Sequence, residues 1–132
     1  FEQVPNYLKA ADLFGFASTT ETQGLVTLEA MASGLPVVAV DATGTNDVVE
    51  HERQGLLTEK DSRALAQALK TVLEDEGRMS GFKKAALEKA RQFEIHNQAK
   101  KLVEVYHQAI EDKRAGKFVE VENLGGLRGE EV

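Results

Sequence analysis

Short apolar segments alternate with helical patterns in the first half of this 132-residue chain. Buried strands are predicted for three segments that are apolar or β-branched, residues 13–17, 36–40 and 55–58. Helices, the first opened by a proline and the second closed by a glycine, are predicted at residues 5–11, 24–33 and 45–50. This alternation predicts right-handed crossovers and an α/β fold. The expected architecture is half of a doubly wound, Rossmann-like parallel sheet of about three strands, with helices on both faces.

From Asp61 onward the pattern is helical. Asp61 is a suitable N-cap for a helix with a continuous apolar stripe, formed by Ala64, Leu65, Ala68, Leu69, Val72 and Leu73. We expect Gly77 to end this helix. Two C-terminal helices are predicted at residues 78–92 and 97–114. Their inward positions are predicted to be Phe82, Ala85, Ala86 and Ala90 in the first, and Leu102, Val103, Tyr106 and Ile110 in the second.

Glu29 is the only charged residue between Thr22 and Val40. In the predicted helix 24–33 it shares a face with the residues three and four positions away, Leu25, Val26, Ala32 and Ser33. An ionised carboxylate in apolar surroundings is costly unless it is paired or hydrogen-bonded. We therefore expect this face to be partly buried and the carboxylate to hold a ligand.

Glu21 lies just before Gly24, where a strand has ended and a helix is about to begin. A helix N-terminus presents N–H groups with partial positive charge, and a glycine there allows a ligand to approach closely. Glu21 and Glu29 thus bracket an anion-binding turn, and their carboxylates can accept hydrogen bonds from sugar hydroxyls. The spacing predicts a ligand with a phosphate in the middle and hydroxyl-bearing rings at both ends.

These residues also have structural explanations. Glu29 could bond a neighbouring backbone group or a serine, and Glu21 could be a solvated loop acid that interacts with the helix dipole. The loop at residues 41–45 follows a strand at the edge where open α/β sheets bind ligands, so it is a candidate for ligand contact. Aspartate and glycine are, however, also common turn residues.

The segment ETQGLVTLE, which spans Glu21 to Glu29, runs into AMASGLPVV. YLKAADLF precedes it, and DVVE and GLL follow it. Together these segments resemble the nucleotide-sugar site of retaining GT-B glycosyltransferases of family four, with its E-x7-E motif, over about residues 5–60. The resemblance implies that Glu21 is the catalytic residue and contacts the donor hexose, and that Glu29 takes the paired ribose hydroxyls. It further implies donor contacts, through backbone N–H groups or a hydroxyl near the phosphate, from Gln23, Gly24, Leu25 and Thr27.

The composition of the chain limits the kinds of ligand and cofactor that it is expected to bind. The net charge of −6 argues against nucleic-acid binding. The chain has no cysteine, its three histidines are dispersed and it has no Asp-x-Asp, so we expect no cofactor and no metal requirement. Through Lys60, the cationic side chains are only Lys9, Arg53 and Lys60. A diphosphate normally needs such side chains, and the resemblance implies that they lie in an earlier βα unit. The first residue is Phe1, which fits a piece of a longer protein.

We therefore expect residues 1–115 to be a partial C-terminal donor-binding domain and residues 116–132 to be a flexible tail. The parent would be a retaining hexosyltransferase, and this fragment would be inactive alone. A missing N-terminal domain would bind the acceptor, a sugar or a glycolipid; the ETQGL variant is similar to glucosyltransferases that act on diacylglycerol. The alternative is a non-catalytic nucleotide- or protein-binding α/β module. We expect a cytoplasmic location with peripheral membrane contact in the parent, and dimerisation of the fragment through an open sheet edge.

Overall fold

The computed structural model describes residues 3–117, in which three parallel strands form one sheet in the order β1-β2-β3. The helices and strands are α1 Val4–Ala10, β1 Phe14–Phe16, α2 Leu25–Ala32, β2 Val37–Val40, β3 Gly55–Thr58, α3 Ser62–Leu73, α4 Glu76–Gln92 and α5 Ile95–Arg114. The predicted α/β class and all three predicted strands are confirmed. Each observed strand lies within the segment that was predicted for it.

Strand β2 is the centre of the core, and all four of its residues are buried. Because successive side chains of a strand point to opposite faces, β2 contributes to two separate apolar clusters. On one face, Val37 and Ala39 pack in the cluster completed by Met31, Val48, Val49 and Ala86. On the other face, Val38 packs in the cluster completed by Leu56, Ala68, Val72 and Phe82. Helices therefore cover both faces of the sheet, as the doubly wound pattern predicted.

Strands β2 and β3 approach each other closely at Gly55. This residue pairs with Val37 in the parallel ladder, and a Cβ at position 55 would overlap the carbonyl oxygen of Val37. Just before it, the buried Gln54 side chain accepts a hydrogen bond from the backbone N–H of Glu50 at 2.8 Å. The entry into β3 thus requires a residue without a side chain, preceded by a turn that is satisfied internally.

Ion pairs connect that same turn to helix α4. Glu50 accepts from Lys89 Nζ at 2.7 Å and from Arg53 Nη1 at 2.6 Å. Glu52 accepts from Arg78 Nη1 at 3.1 Å. The Lys89 ammonium, followed by the Arg53 guanidinium, lowers the pKa of the Glu50 carboxyl to about 2. These charges therefore hold α4 against the turn that leads into β3.

One predicted helix and one predicted helix boundary are wrong. Residues 43–48 form consecutive turns instead of the predicted helix 45–50. Helix α3 ends at Leu73 and Gly77 lies inside α4, so Gly77 is not the break. The break occurs at Asp75, whose carboxylate accepts a hydrogen bond from the Arg78 N–H at 2.9 Å. An N-cap carboxylate starts a new helix more strongly than one glycine ends an old one.

The contacts divide the chain into two compact units, Phe1–Ile95 and His96–Val132. The second unit contains almost all of α5. The expectation that apolar residues of this helix face inward is wrong: α5 has no buried residue, and four of its apolar side chains are exposed, namely Leu102, Val103, Tyr106 and Ile110. The helical pattern was correct, but a stripe of apolar residues says nothing about which surface covers it. Residues 118–132, most of the predicted flexible tail, lie outside the described residues.

Candidate functional site

The N-terminus of α2 lies after the carboxyl end of β1, the edge at which open α/β sheets bind ligands. Gly24 is the N-cap in a left-handed conformation, with φ 63° and ψ 23°, and no side chain caps the helix. The first turn bond runs from the Leu28 N–H to the Gly24 carbonyl at 2.9 Å. The N–H groups of the residues between them therefore precede the intrahelical ladder. This end of the helix can receive an anion.

A cavity of about 810 Å³ opens beside this helix. Both sequence-predicted glutamates, Glu21 and Glu29, lie in its wall. The remaining wall residues come from α1 and α2 and are mainly apolar: Val4, Pro5, Leu8, Leu25, Val26, Ala32 and Ser33. Among residues 3–117, no lysine or arginine lines it. The cavity thus combines an apolar surface with two hydrogen-bond acceptors, and it offers no cationic side chain to a phosphate.

Glu21 is held in place by its own loop. Its Oε1 atom accepts hydrogen bonds from the N–H groups of Thr22 at 2.9 Å and Gln23 at 3.2 Å. The bond from Gln23, then that from Thr22, lowers the pKa of the Glu21 carboxyl. The carboxylate is therefore ionised and oriented before any ligand arrives. In this arrangement the Gln23 N–H, expected to contact the donor, is directed at Glu21.

Glu29 lines the cavity, and its face of the helix is only partly covered: Val26 and Ser33 are half-buried, whereas Ala32 is exposed. Glu29 is exposed, and its neighbour Leu25 is 59% exposed. The buried face of α2 consists of Thr27, Ala30 and Met31, and Met31 enters the core cluster around Val37. Apolar residues occupy both faces of this helix, so their periodicity does not indicate which face meets the sheet. Glu29 therefore lies in a part of the cavity wall that is exposed to solvent.

Thr27 lies on the buried face, with 0% of its surface exposed. Its Oγ1 atom has no hydrogen-bond partner among the protein atoms of the described residues, and the same is true of Thr45. The donor contact that the family resemblance implied for Thr27 stays a prediction.

The loop after β2 packs on the loop that carries Glu21. A Cβ at Gly44 would lie 2.6 Å from the Glu21 carbonyl oxygen, and a Cβ at Gly24 would lie 2.5 Å from the Gly44 carbonyl oxygen. Within the loop, the Asn46 side chain donates to Asp41 Oδ1 at 2.8 Å. Gly44 belongs to the loop at residues 41–45, which the sequence indicates as a candidate for ligand contact, but its packing against the Glu21 loop was not predicted. The signals in the sequence were the position of this loop after a strand and the glycine within it.

Residues 3–117 contain neither a cluster of metal ligands nor a helix that could span a membrane. No group of three or more His, Cys, Asp or Glu residues there is arranged to hold a metal ion. No helix in that range is long and apolar enough to cross a membrane.

The family described as glycosyl transferases group 1 matches residues 1–75. D-inositol 3-phosphate glycosyltransferase of Salinispora tropica is 38% identical over 114 residues, which are 86% of this chain and 24% of that protein. The protein of the same name from Mycobacteroides abscessus is 36% identical over 115 residues, 86% of this chain and 26% of that protein. The chain therefore spans about a quarter of the length of these relatives.

Solved structures with the same fold contain nucleotide ligands. Anabaena HepE in complex with UDP superposes with a TM-score of 0.75 and 32% identity, over 82% of this chain and 30% of that one. The complex of HepE with UDP-glucose superposes with a TM-score of 0.70 and 33% identity, over 79% of this chain and 29% of that one. Because the family match extends over more than half of the residues, this chain belongs to the glycosyl transferases group 1 family.

Proposed function

We propose that this chain is the donor-binding part of a transferase that moves a hexose from a nucleoside diphosphate sugar to an acceptor hydroxyl, with retention at the anomeric carbon. One observation carries the proposal: a single cavity contains two carboxylates, Glu21 and Glu29, beside a helix N-terminus that no side chain caps. Structures of a relative with UDP and UDP-glucose support a donor of this kind. The donor, the hexose and the stereochemistry are proposals for this chain.

In the proposed complex, the two carboxylates have different tasks. Glu21, oriented by the Thr22 and Gln23 N–H groups, accepts hydrogen bonds from hexose hydroxyls through oxygen lone pairs that its own loop does not use. It thereby holds the anomeric carbon in the reactive orientation. Glu29, in the open wall of the cavity, accepts from the ribose hydroxyls. The two glutamates would then fix the donor from both sides of its diphosphate.

The diphosphate lies between them, at the N–H groups of Gly24 and Leu25 that begin α2. These dipoles stabilise the negative charge that grows on the leaving group as the glycosidic bond breaks. They are not sufficient for two phosphates, and no lysine or arginine among the described residues lines the cavity. The missing cations must come from the rest of the protein. We expect the isolated chain to be inactive and to bind UDP with a millimolar Kd or not measurably.

Two kinds of acceptor follow from what this chain resembles. The sequence relatives are named for transfer to D-inositol 3-phosphate, and the ETQGL segment suggested a glycolipid such as diacylglycerol. Both offer a hydroxyl, and both would be bound outside this chain by the N-terminal part of the parent. Assays with radiolabelled UDP-glucose and each acceptor in turn decide between them, and NMR of the product's anomeric proton tests retention.

Kinetics of variants in the full-length protein test the assignment of the two glutamates. We expect Glu29→Ala to raise the donor KM about tenfold or more, since a hydrogen bond to a charged group contributes about 1.5–3 kcal/mol. We expect Glu21→Ala to act mainly on kcat. Glu88→Ala is the matched control. Glu88 is an exposed glutamate on α4, and no residue of α4 lines the cavity.

Unchanged kinetics in both Glu21→Ala and Glu29→Ala would reject the proposed site. If the full-length protein instead binds nucleoside diphosphates without transferring a sugar to any acceptor, the alternative of a non-catalytic nucleotide-binding module replaces the transferase.

A further inference from the structure

Two loops, each following a different strand, are in contact through a pair of glycines. Gly24 ends the loop after β1, and Gly44 lies in the loop after β2. Both have positive φ angles, 63° and 84°. A Cβ on Gly24 would meet the Gly44 carbonyl oxygen at 2.5 Å, and a Cβ on Gly44 would meet the Glu21 carbonyl oxygen at 2.6 Å. Neither position has room for a side chain.

We propose that Gly44 is a positioning residue for Glu21: the loop after β2 serves as a rigid support that sets where the Glu21 carboxylate stands in the donor site. This inference rests on the proposed function. Gly44 touches no donor atom in this proposal. It acts through the backbone of Glu21 and Thr22, which a Cβ at position 44 would approach to between 2.6 and 3.1 Å.

The displaced backbone is the one that orients the carboxylate. The Glu21 side chain is bonded to the N–H groups of Thr22 and Gln23, so a shift of the peptide between Glu21 and Thr22 moves the carboxylate and its donors together. At its other end the Glu21 loop is packed against the core at Gly24, where a Cβ would lie 2.7 Å from a methyl group of Val48, which is 3% exposed. A change in the distance between the two loops therefore moves the Glu21 carboxylate.

The supporting loop is itself stiffened by local hydrogen bonds. The Gly44 N–H donates to Asp47 Oδ2 at 3.2 Å, and the Asn46 side chain donates to Asp41 Oδ1 at 2.8 Å. Further along, the Val49 N–H donates to the Thr45 carbonyl at 2.9 Å. Because these bonds tie the loop to itself, extra volume at Gly44 is relieved by movement of the Glu21 loop.

The chain provides a closely matched control for substitution of Gly44. Gly34, after α2, has φ 83° against 84° at Gly44, so an alanine at either position suffers the same left-handed backbone strain. A Cβ at position 34, however, meets only the side chain of Leu87, at 3.8 Å. The comparison of Gly44→Ala with Gly34→Ala separates the contact with the Glu21 backbone from the cost of the φ angle.

In the full-length transferase, we expect Gly44→Ala to lower kcat about tenfold or more, because misplacement of a positioning group by a fraction of an ångström to 1 Å is costly. The donor KM should change less than about twofold, since Glu29 still holds the ribose. Gly34→Ala should leave kcat and KM unchanged. In a Glu21→Ala background, Gly44→Ala should lower kcat less than about twofold further, because the group that it displaces is already absent.

Each outcome has one meaning. If Glu21→Ala lowers kcat but Gly44→Ala has the same kcat as Gly34→Ala, the positioning role is wrong and the proposed function stands. If Gly44→Ala lowers kcat equally with and without Glu21, the loop acts on something other than Glu21 and the inference also fails. If Glu21→Ala leaves kcat unchanged, the role of Glu21 in the proposed function fails first. Circular dichroism of Gly44→Ala and Gly34→Ala verifies that both variants are folded.

Discussion

Replacement of Thr27 by valine tests whether its buried hydroxyl lowers the stability of the fold or makes the donor contact that the family resemblance implies. The hydroxyl of Thr27 is fully buried and has no protein partner among the described residues. A buried polar group without a hydrogen bond costs about 1–3 kcal/mol. Valine has nearly the same shape and a similar helix propensity. We therefore expect Thr27→Val to raise the free energy of unfolding by about 1 kcal/mol, the low end of that range.

Urea unfolding of the wild-type and variant chains measures this difference. With a slope of about 2 kcal/mol per molar urea, the midpoint should rise by about 0.5 M at an unchanged slope. Thr27→Ser is the matched control, since it keeps the hydroxyl and loses one buried methyl group, and it should cost about 1 kcal/mol. In the full-length protein, Thr27→Val should leave the donor KM within about twofold.

Two results would refute the reasoning about Thr27. A loss of 1 kcal/mol or more in Thr27→Val would mean that the hydroxyl is satisfied in the folded protein. A tenfold rise in the donor KM, equivalent to about 1.4 kcal/mol, would mean that the hydroxyl reaches the donor phosphate after all.

Three further predictions concern the turn before β3 and the chemistry of transfer. The folded-state pKa of Glu50 is lowered from 4.5 to about 2, so its contribution to stability is present above pH 4.5 and lost as the pH falls through about 2. In urea unfolding from pH 6 to 2, the difference in the free energy of unfolding between wild type and Glu50→Gln should therefore shrink in that window. A constant difference would contradict this prediction. Gly55→Ala should abolish the native circular dichroism spectrum, because the added Cβ overlaps Val37. The control Gly81→Ala adds a Cβ that meets nothing within 4 Å, and it should stabilise α4 by about 0.5–1 kcal/mol. A folded Gly55→Ala chain would disprove the close approach of β2 and β3 at this residue. EDTA should leave sugar transfer by the full-length protein unchanged within about twofold, and a loss that Mn²⁺ or Mg²⁺ restores would show that a metal is required.

Sequence reasoning succeeded where one local signal determined one local structure. Strand β3 begins and ends where the apolar run predicted, and the Asp61 carboxylate caps α3 through the Arg63 and Ala64 N–H groups. It failed where two local signals competed. At Gly77, helix-breaking glycine was weaker than the carboxylate of Asp75, so the boundary moved by a few residues.

Of the six residues predicted to bind the donor, Glu21, Leu25 and Glu29 line the cavity, whereas Gln23, Gly24 and Thr27 do not. Glu21 and Glu29 do line one cavity, because their spacing places one before the helix and one on it. That Glu29 is exposed while Thr27 is buried depends on which face of α2 meets the sheet and α4, and that choice is made by neighbours far away in the chain. The hydrogen bonds that orient Glu21 follow from loop conformation, which no periodicity encodes.

By itself, the sequence determined the alternation of strands and helices, the parallel α/β class, the two carboxylates and the family, since each depends on short patterns of side chains or on their order along the chain. Only the tertiary structure decided which face of α2 is covered, that Glu21 is oriented by its own loop, and that Gly24 and Gly44 bring two separate loops into contact. The physical reason is that these features arise from contacts between segments distant in sequence. Such contacts depend on how the helices and the sheet pack together. The sequence does not distinguish a loop glycine whose Cα faces solvent from one whose Cα packs against another backbone segment.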